Sequence, residues 1–416
     1  MYRIALAVMA IALAIGPVCS DKQTIKLAHR VFKSQAEAQQ QGSSSLRGTG
    51  LIGEPYDLGN GLKVAWPTLK CKKPLYGYLS ISVPDPKNPG QDRTEQANLV
   101  LDQSGKTPDT YDILYIDLNC DGKFGDGERV VGTKPTGTAA TSSGREISVD
   151  YGVVALPIGL PGHETEHVAI TFTKDDTGGA VYYCPACLLE AEMQTASGPR
   201  ALRIVDESFN GSFADYGSDM VILGNERQVL SKIISVDNAF SNFQIAPDGS
   251  SFTISPYTGE TGKVAFDVKL KSAADLQISG QARSSDVTLS LGLVSTTGLS
   301  LPARDYPQSY IYMQCKDGDL LWVAYTSMDV PIHVAANETT TVKAGSPMSL
   351  EVVVNGATSP GATADLTYTV KGVSGESYSR FINYRKDGTN YTTVGAKAII
   401  MDAAGKQVVE ATLEPG

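Results

Sequence analysis

Ile113-Leu114-Tyr115-Ile116-Asp117-Leu118-Asn119-Cys120-Asp121-Gly122-Lys123-Phe124-Gly125-Asp126-Gly127-Glu128-Arg129-Val130-Val131 is the stretch that decides the fold. Apolar, β-branched and aromatic residues stand on either side of a dense run of Asp, Asn and Gly. The first kind packs well on a pleated surface, whereas the second kind hydrogen-bonds its own backbone or takes positive φ. The stretch therefore reads as strand, loop, strand. The same texture recurs outward from it, at residues 76–83, 98–101, 111–116 and 129–131, each bounded by Gly, Pro, Asn or Asp. With 41 Gly, 21 Pro and 19 Tyr in the chain, turns and strands are favoured over helices, and the expected class is all-β.

A second stretch follows the same plan at 168–172, 180–183, 188–193, 201–205 and 220–223. Laid over the first, Asn98-Leu99-Val100-Leu101-Asp102 falls on Cys187-Leu188-Leu189-Glu190-Ala191, and Leu114-Tyr115-Ile116-Asp117 falls on Arg203-Ile204-Val205-Asp206. This reads as an internal duplication. Residues 233–270 add hairpins with a turn at Asp248-Gly249. From about Ser285 six or seven short strands alternate as in Leu366-Thr367-Tyr368-Thr369-Val370, which suits a sheet with one wet and one buried face. The expected organisation is a signal peptide (1–20), a leader or linker (21–60) with a short helix near 25–40, and a first β unit (61–150). A second β unit (151–284) and a C-terminal immunoglobulin-like or transthyretin-like β-sandwich (285–416) complete it.

Residues 1–20 carry Arg3, an apolar run over 4–15, and Pro17, Val18 and Ser20 ahead of Asp21. That run is too short to span a bilayer and reads as an export signal, so a secreted, cell-surface or periplasmic location is expected. A lipid-modified Cys19 is the rival reading, disfavoured by Pro17 and Val18 just ahead of it. Forty-five acidic against 35 basic residues give a net charge of −10 with no Lys/Arg block, which argues against nucleic acid and anionic membrane as partners. Of the six cysteines, Cys71, Cys120, Cys184, Cys187 and Cys315 would survive cleavage after Ser20. An odd number in an oxidising compartment is no disulfide scaffold.

The chemistry sits in the acidic loop. Calcium is a hard cation that takes about six to eight oxygens, and Asp117, Asn119 and Asp121 at alternate positions of a tight bend converge on one point. Gly122 permits the sharp turn, the Lys123 carbonyl adds an oxygen, Glu128 closes the shell, and Phe124 anchors the loop. Further on, Asp206, Ser208, Asn210, Gly211, Phe213 and Asp215 fall on Asp117, Asn119, Asp121, Gly122, Phe124 and Asp126. Gly217 takes the place of the closing glutamate. Asp215 or Asp219 is left to substitute, so the second site is expected to be weaker or empty. The bland alternative for both is a polar hairpin turn, built from the same residue types.

These loops resemble the calcium loops of EF-hands and dockerins, and more closely, given flanking strands, the β-hairpin calcium loops of integrin-type propellers. The resemblance covers each loop alone and implies calcium binding. The overall layout is similar to that of uncharacterised secreted bacterial β-proteins with such loops, which implies no activity. Extracellular calcium sites of this kind bind at about 10⁻⁴ to 10⁻³ M. The expectation is thus an exported structural or binding protein, an adhesion or scaffold module with a carbohydrate or protein partner, in which calcium stiffens hairpins.

Other strings carry enzyme readings. His163-Glu164-Thr165-Glu166-His167 is a zinc-protease string, yet Pro161-Gly162 precedes it and an apolar strand follows. On a strand, residues four apart lie about 13 Å from each other, too far to share one zinc, so a polar loop is favoured over a protease or adventitious metal. Cys184-Pro185-Ala186-Cys187 has redox spacing but strand-like flanks. It is read as a structural pair or local disulfide, against a metal clip or a thiol oxidoreductase site. Gly48-Thr49-Gly50-Leu51-Ile52-Gly53 lacks the strand and helix a dinucleotide fingerprint needs. Trp66, Tyr76, Tyr78, Trp322 and Tyr325 are read as core packing ahead of a sugar platform. No catalytic residue is assigned, and an exported hydrolase or thiol oxidoreductase is the alternative.

Overall fold

The computed structural model describes residues 22–413 apart from 43–45, 56–62, 86–87, 89–91, 106–109, 134–135, 142–143, 157–165, 175–178, 270–275, 292–297, 318–319, 329–330, 357–363, 386–390, 394–395, 402–403 and 405. The export signal, Cys19, His163 and Glu164 lie outside the described residues. The chain is all-β, with several antiparallel sheets and, among the described residues, one α-helix. It forms two compact units, one comprising the described residues up to Leu230 with Ile234–Pro256, the other Ser231–Ile233 with Tyr257–Gly416.

The first unit opens with β1 (Gln23–Lys26), β2 (Ala28–Val31), α1 (Gln35–Gln41) and β3 (Arg47–Gly50). Next come β4 (Leu75–Pro84), β5 (Asp92–Asp102), β6 (Ile113–Ile116), a 3-10 turn at Asp126–Glu128, and β7 (Arg129–Val131). They are followed by β8 (Thr136–Thr141), β9 (Gly144–Leu156), β10 (Glu166–Lys174), β11 (Gly179–Pro185) and β12 (Cys187–Thr195). The unit ends with β13 (Gly198–Val205), β14 (Met220–Leu223), β15 (Glu226–Val229), β16 (Ile233–Val236), β17 (Ala239–Ile245) and β18 (Ser251–Pro256). Four sheets result, ordered β4-β5-β6-β7, β3-β11-β10-β9-β8, β15-β14-β13-β12-β2 and β1-β18-β17-β16.

The first two sheets share one core, in which Leu79, Leu99, Leu114, Ile170 and Phe172 are fully buried. The other two share a second core around Leu202, Ile204, Leu230, Val236 and Ile254. Between β10 and β11 on one side and β12 to β14 on the other, Ala169, Cys184, Leu188 and Ile222 pack with Ala38 of α1. β12 is therefore buried on both faces at its start, which its unbroken Cys187-Leu188-Leu189 run requires.

Residues 21–60 are more than a leader. β1 pairs with β18, β2 with β12 and β3 with β11, and the helix is confined to Gln35–Gln41. Ile25 and Leu27 pack against the second core, so the segment runs extended where a longer helix was expected. Both acidic loops fall in this one unit.

The second unit begins at Tyr257 rather than 285 because Thr261–Lys269 pairs in parallel with Thr339–Gly345 and antiparallel with Leu299–Pro302. Its large sheet runs Thr288–Ser290, Gln277–Arg283, Gln308–Asp317, Leu320–Met328, Ser377–Arg385, Ala364–Lys371 and Ser349–Gly356, with Tyr391–Thr393 beside Ser377–Arg385. No helix among the described residues is long and apolar enough to cross a membrane.

Candidate metal centre

Each acidic loop connects two antiparallel strands, β6 to β7 and β13 to β14. Val100 is paired with Tyr115 and Leu101 with Leu114, while Leu189 is paired with Ile204 and Glu190 with Arg203. These are equivalent pairs under the sequence overlay, so both loops leave their sheets at the same register. The backbones agree as well. Cys120 and Phe209, each three residues into its loop, have φ of 56° and 62°, and Gly122 and Gly211 have 78° and 77°. The latter are left-handed values at which glycine carries no steric cost.

In the first loop, Asp117 is fully buried. Its Oδ1 accepts from the Asp121 N–H at 3.0 Å and its Oδ2 from the Gly122 N–H at 2.9 Å and Asn98 Nδ2 at 3.1 Å. Asn119 Oδ1 accepts from the same Asp121 N–H at 3.1 Å, which brings it beside Asp117 Oδ1. Asp121 Oδ1 accepts from the Lys123 N–H at 2.8 Å. Glu128 closes the loop, its Oε1 accepting from Leu118 N–H at 2.8 Å and its Oε2 from Gly125 N–H at 2.6 Å. Burial holds the Asp117 carboxyl above its ordinary value, against the hydrogen bonds from Asn98, Gly122 and Asp121, and Glu128 adds to the rise. Phe124 is stacked on Trp66 at 5.6 Å, Trp66 meets Tyr76 edge-on at 4.8 Å, and Ala65 N–H donates to the Gly122 carbonyl at 2.7 Å. Asn119, Asp121 and Lys123 face solvent.

The second loop is sealed. Asp206 and Asp219 are fully buried, and Asn210 is nearly so. Asp206 Oδ1 accepts from Ser208 Oγ at 2.7 Å and Phe209 N–H at 2.8 Å, and its Oδ2 from Gly211 N–H at 2.7 Å. Asp215 Oδ2 accepts from Ser208 Oγ at 3.1 Å and Asn210 Nδ2 at 2.5 Å. Asp219 Oδ2 accepts from Asp215 N–H at 3.0 Å, but Asp219 Oδ1 is buried with no hydrogen-bond partner. Burial raises both the Asp206 and Asp219 carboxyls. Asp215 adds to the rise at Asp206, and Asp206 and Asp215 do so at Asp219. Leaving a buried carboxylate oxygen unpaired is expensive, and a divalent cation offsets that cost. Arg47 fixes the loop from outside, donating to the Glu207 and Ser208 carbonyls at 3.1 and 3.3 Å while lying over the Phe209 ring.

Asp219 is the residue the sequence reading left undecided. Gly217 is indeed without a side chain, but Asp219 directly precedes β14 much as Glu128 directly precedes β7. The loop is longer, so counting from Asp206 by the spacing of the first loop stops short of Asp219, whereas counting back from the return strand reaches it. Asn98 was also missed as a partner of Asp117.

The described residues of the enzyme strings lie on or beside strands. His167 lies on β10 and not on a helix. Cys184 lies near the end of β11 and Cys187 starts β12, neither in a disulfide, and they face different cores. Gly48–Gly50 lies in β3 with no helix after it among the described residues. No family model, curated protein or solved structure matches the chain in comparisons with known proteins.

Proposed function

We propose that the chain is an exported calcium-binding protein of structural or binding type, in which calcium rigidifies two β-hairpin loops. The observation that carries this reading is the unpartnered buried Oδ1 of Asp219, in a loop that also holds Asp206, Ser208, Asn210 and Asp215 and in which Ser208 Oγ donates to both Asp206 and Asp215. Hard, anionic and oxygen-only, that donor set fits calcium better than a softer ion. The first loop supplies Asp117, Asn119, Asp121, the Lys123 carbonyl and Glu128 at equivalent backbone positions. The matching register and φ values of the two hairpins favour duplication of one calcium-loop unit. An immunoglobulin-like or transthyretin-like C-terminal sandwich and a carbohydrate or protein partner belong to the same proposal.

Calorimetric titration of the full chain with calcium tests it. Two binding events are expected, with Asp117→Ala removing one and Asp219→Ala the other. A parent chain that takes up no calcium refutes the reading. Two surviving events in Asp219→Ala refute the closure of the second loop.

A further inference from the structure

Three strands distant in sequence bring two imidazoles and a thiol together in the first unit. His29 on β2, His167 on β10 and Cys187 on β12 each offer one ligand atom, and these atoms all lie within 4.8 Å of one another. The register explains the meeting. β2 pairs antiparallel with β12, with Val31 opposite Cys187 and His29 opposite Leu189. Residues two apart on a strand share a face, so His29 and Cys187 are diagonal neighbours on one face. β10 delivers the third group, because the His167 carbonyl accepts from the Ala186 N–H at 2.7 Å, next to Cys187. The two imidazole rings are 5.8 Å apart at 48°.

The groups are not those of a settled apolar core. His167 Nδ1 is buried with no hydrogen-bond partner. Cys187 is fully buried and donates its thiol to Glu166 Oε1 at 3.2 Å. Under the overlay of the two hairpins, Cys187 occupies the position of Asn98, so the second hairpin has a soft ligand where the first has an amide. His29 is exposed, which leaves one side of the cluster open.

We infer that His29, His167 and Cys187 form a metal site separate from the oxygen loops, for a thiophilic divalent ion of the zinc class with its fourth position open to solvent. Two imidazole nitrogens and one sulfur suit such an ion and not calcium, which takes oxygen. Zinc holds nitrogen at about 2.0–2.1 Å and sulfur at about 2.3 Å, which sets tetrahedral ligand atoms about 3.5 Å apart. A cluster within 4.8 Å closes to that spacing by side-chain rotation. As the Sγ–metal bond forms the S–H bond breaks, and the proton is released to solvent. No electron is transferred. Three protein ligands and an open position leave room for water or for a donor from another molecule. Among the described residues of the zinc-protease string, His167 belongs to this cluster.

Cobalt(II) is the probe, added to the reduced full chain with calcium kept saturating so that the oxygen loops do not compete. One equivalent is expected to give the visible bands of a tetrahedral ion and a near-ultraviolet thiolate-to-cobalt charge-transfer band, both erased by zinc. Cys187→Ser should remove the charge-transfer band. Because Cys187 is buried, the exposed His29→Gln provides the second variant, expected to keep the fold and weaken cobalt binding by at least about tenfold. Absence of the charge-transfer band in the parent, its persistence in Cys187→Ser, or unchanged affinity in a folded His29→Gln chain overturns the site.

Discussion

Gly122 and Gly211 sit at φ of 78° and 77°, where a Cβ crowds the following carbonyl. The penalty for an L-residue in that region is roughly 1–2 kcal/mol. Gly122→Ala and Gly211→Ala should each destabilise the first unit by about that amount in chelator, and lower the calcium affinity of the loop that carries the change. Urea titration with and without calcium measures both effects. If Gly211→Ala shows neither, the left-handed bend is not what shapes the second loop. At this scale the bend of each loop was largely legible in the sequence, because a glycine turn and the Asp five residues before it are local. The place of Asp219 was less so, since it is set by the return strand and not by distance from Asp206.

At the N-terminus of α1, Ser34 Oγ accepts from the Glu37 N–H at 3.3 Å and Glu37 Oε2 accepts from the Lys33 N–H at 3.0 Å, with Arg30 3.2 Å from the same carboxylate. The Lys33 N–H, aided by Arg30 and opposed by slight desolvation, holds the Glu37 carboxyl below its ordinary value. A lowered folded-state value means that this cap stabilises in full above the unfolded value of about 4.3 and fades as pH falls through the folded one. The Lys33 amide resonance should therefore titrate with a midpoint below about 4.3, and Glu37→Gln should abolish the titration. A midpoint at or above that value would contradict the cap. Among the elements, hairpins such as β13–β14 were legible because strand and turn residues adjoin. β1, β2 and β3 were not, because their partners at 251–254, 187–190 and 180–183 lie far along the chain. The trio of His29, His167 and Cys187 was hidden for the same reason: no spacing in sequence records a meeting of three strands.

Over the whole molecule, calcium should act unevenly, because both loops belong to the first unit. At tenfold excess over its dissociation constant, each bound ion adds roughly 1.4 kcal/mol. For a unit of this size each kcal/mol moves the midpoint by about 2–4 °C. Scanning calorimetry with a calcium chelator should lower one unfolding transition by several degrees and leave the other in place. Equal shifts in both transitions, or none, would count against a calcium role confined to the first unit. The pairing of β1 with β18 also governs how the chain acquires its structure. Gln23 meets Ile254, and His29 meets Leu189, so β1 and β2 have no ladder to join until their distant partners have emerged. Such non-local closure is slow. Two sheets thus stay open at one edge during synthesis, and each is sealed only when Gln23–Lys26 or Ala28–Val31 meets its distant partner.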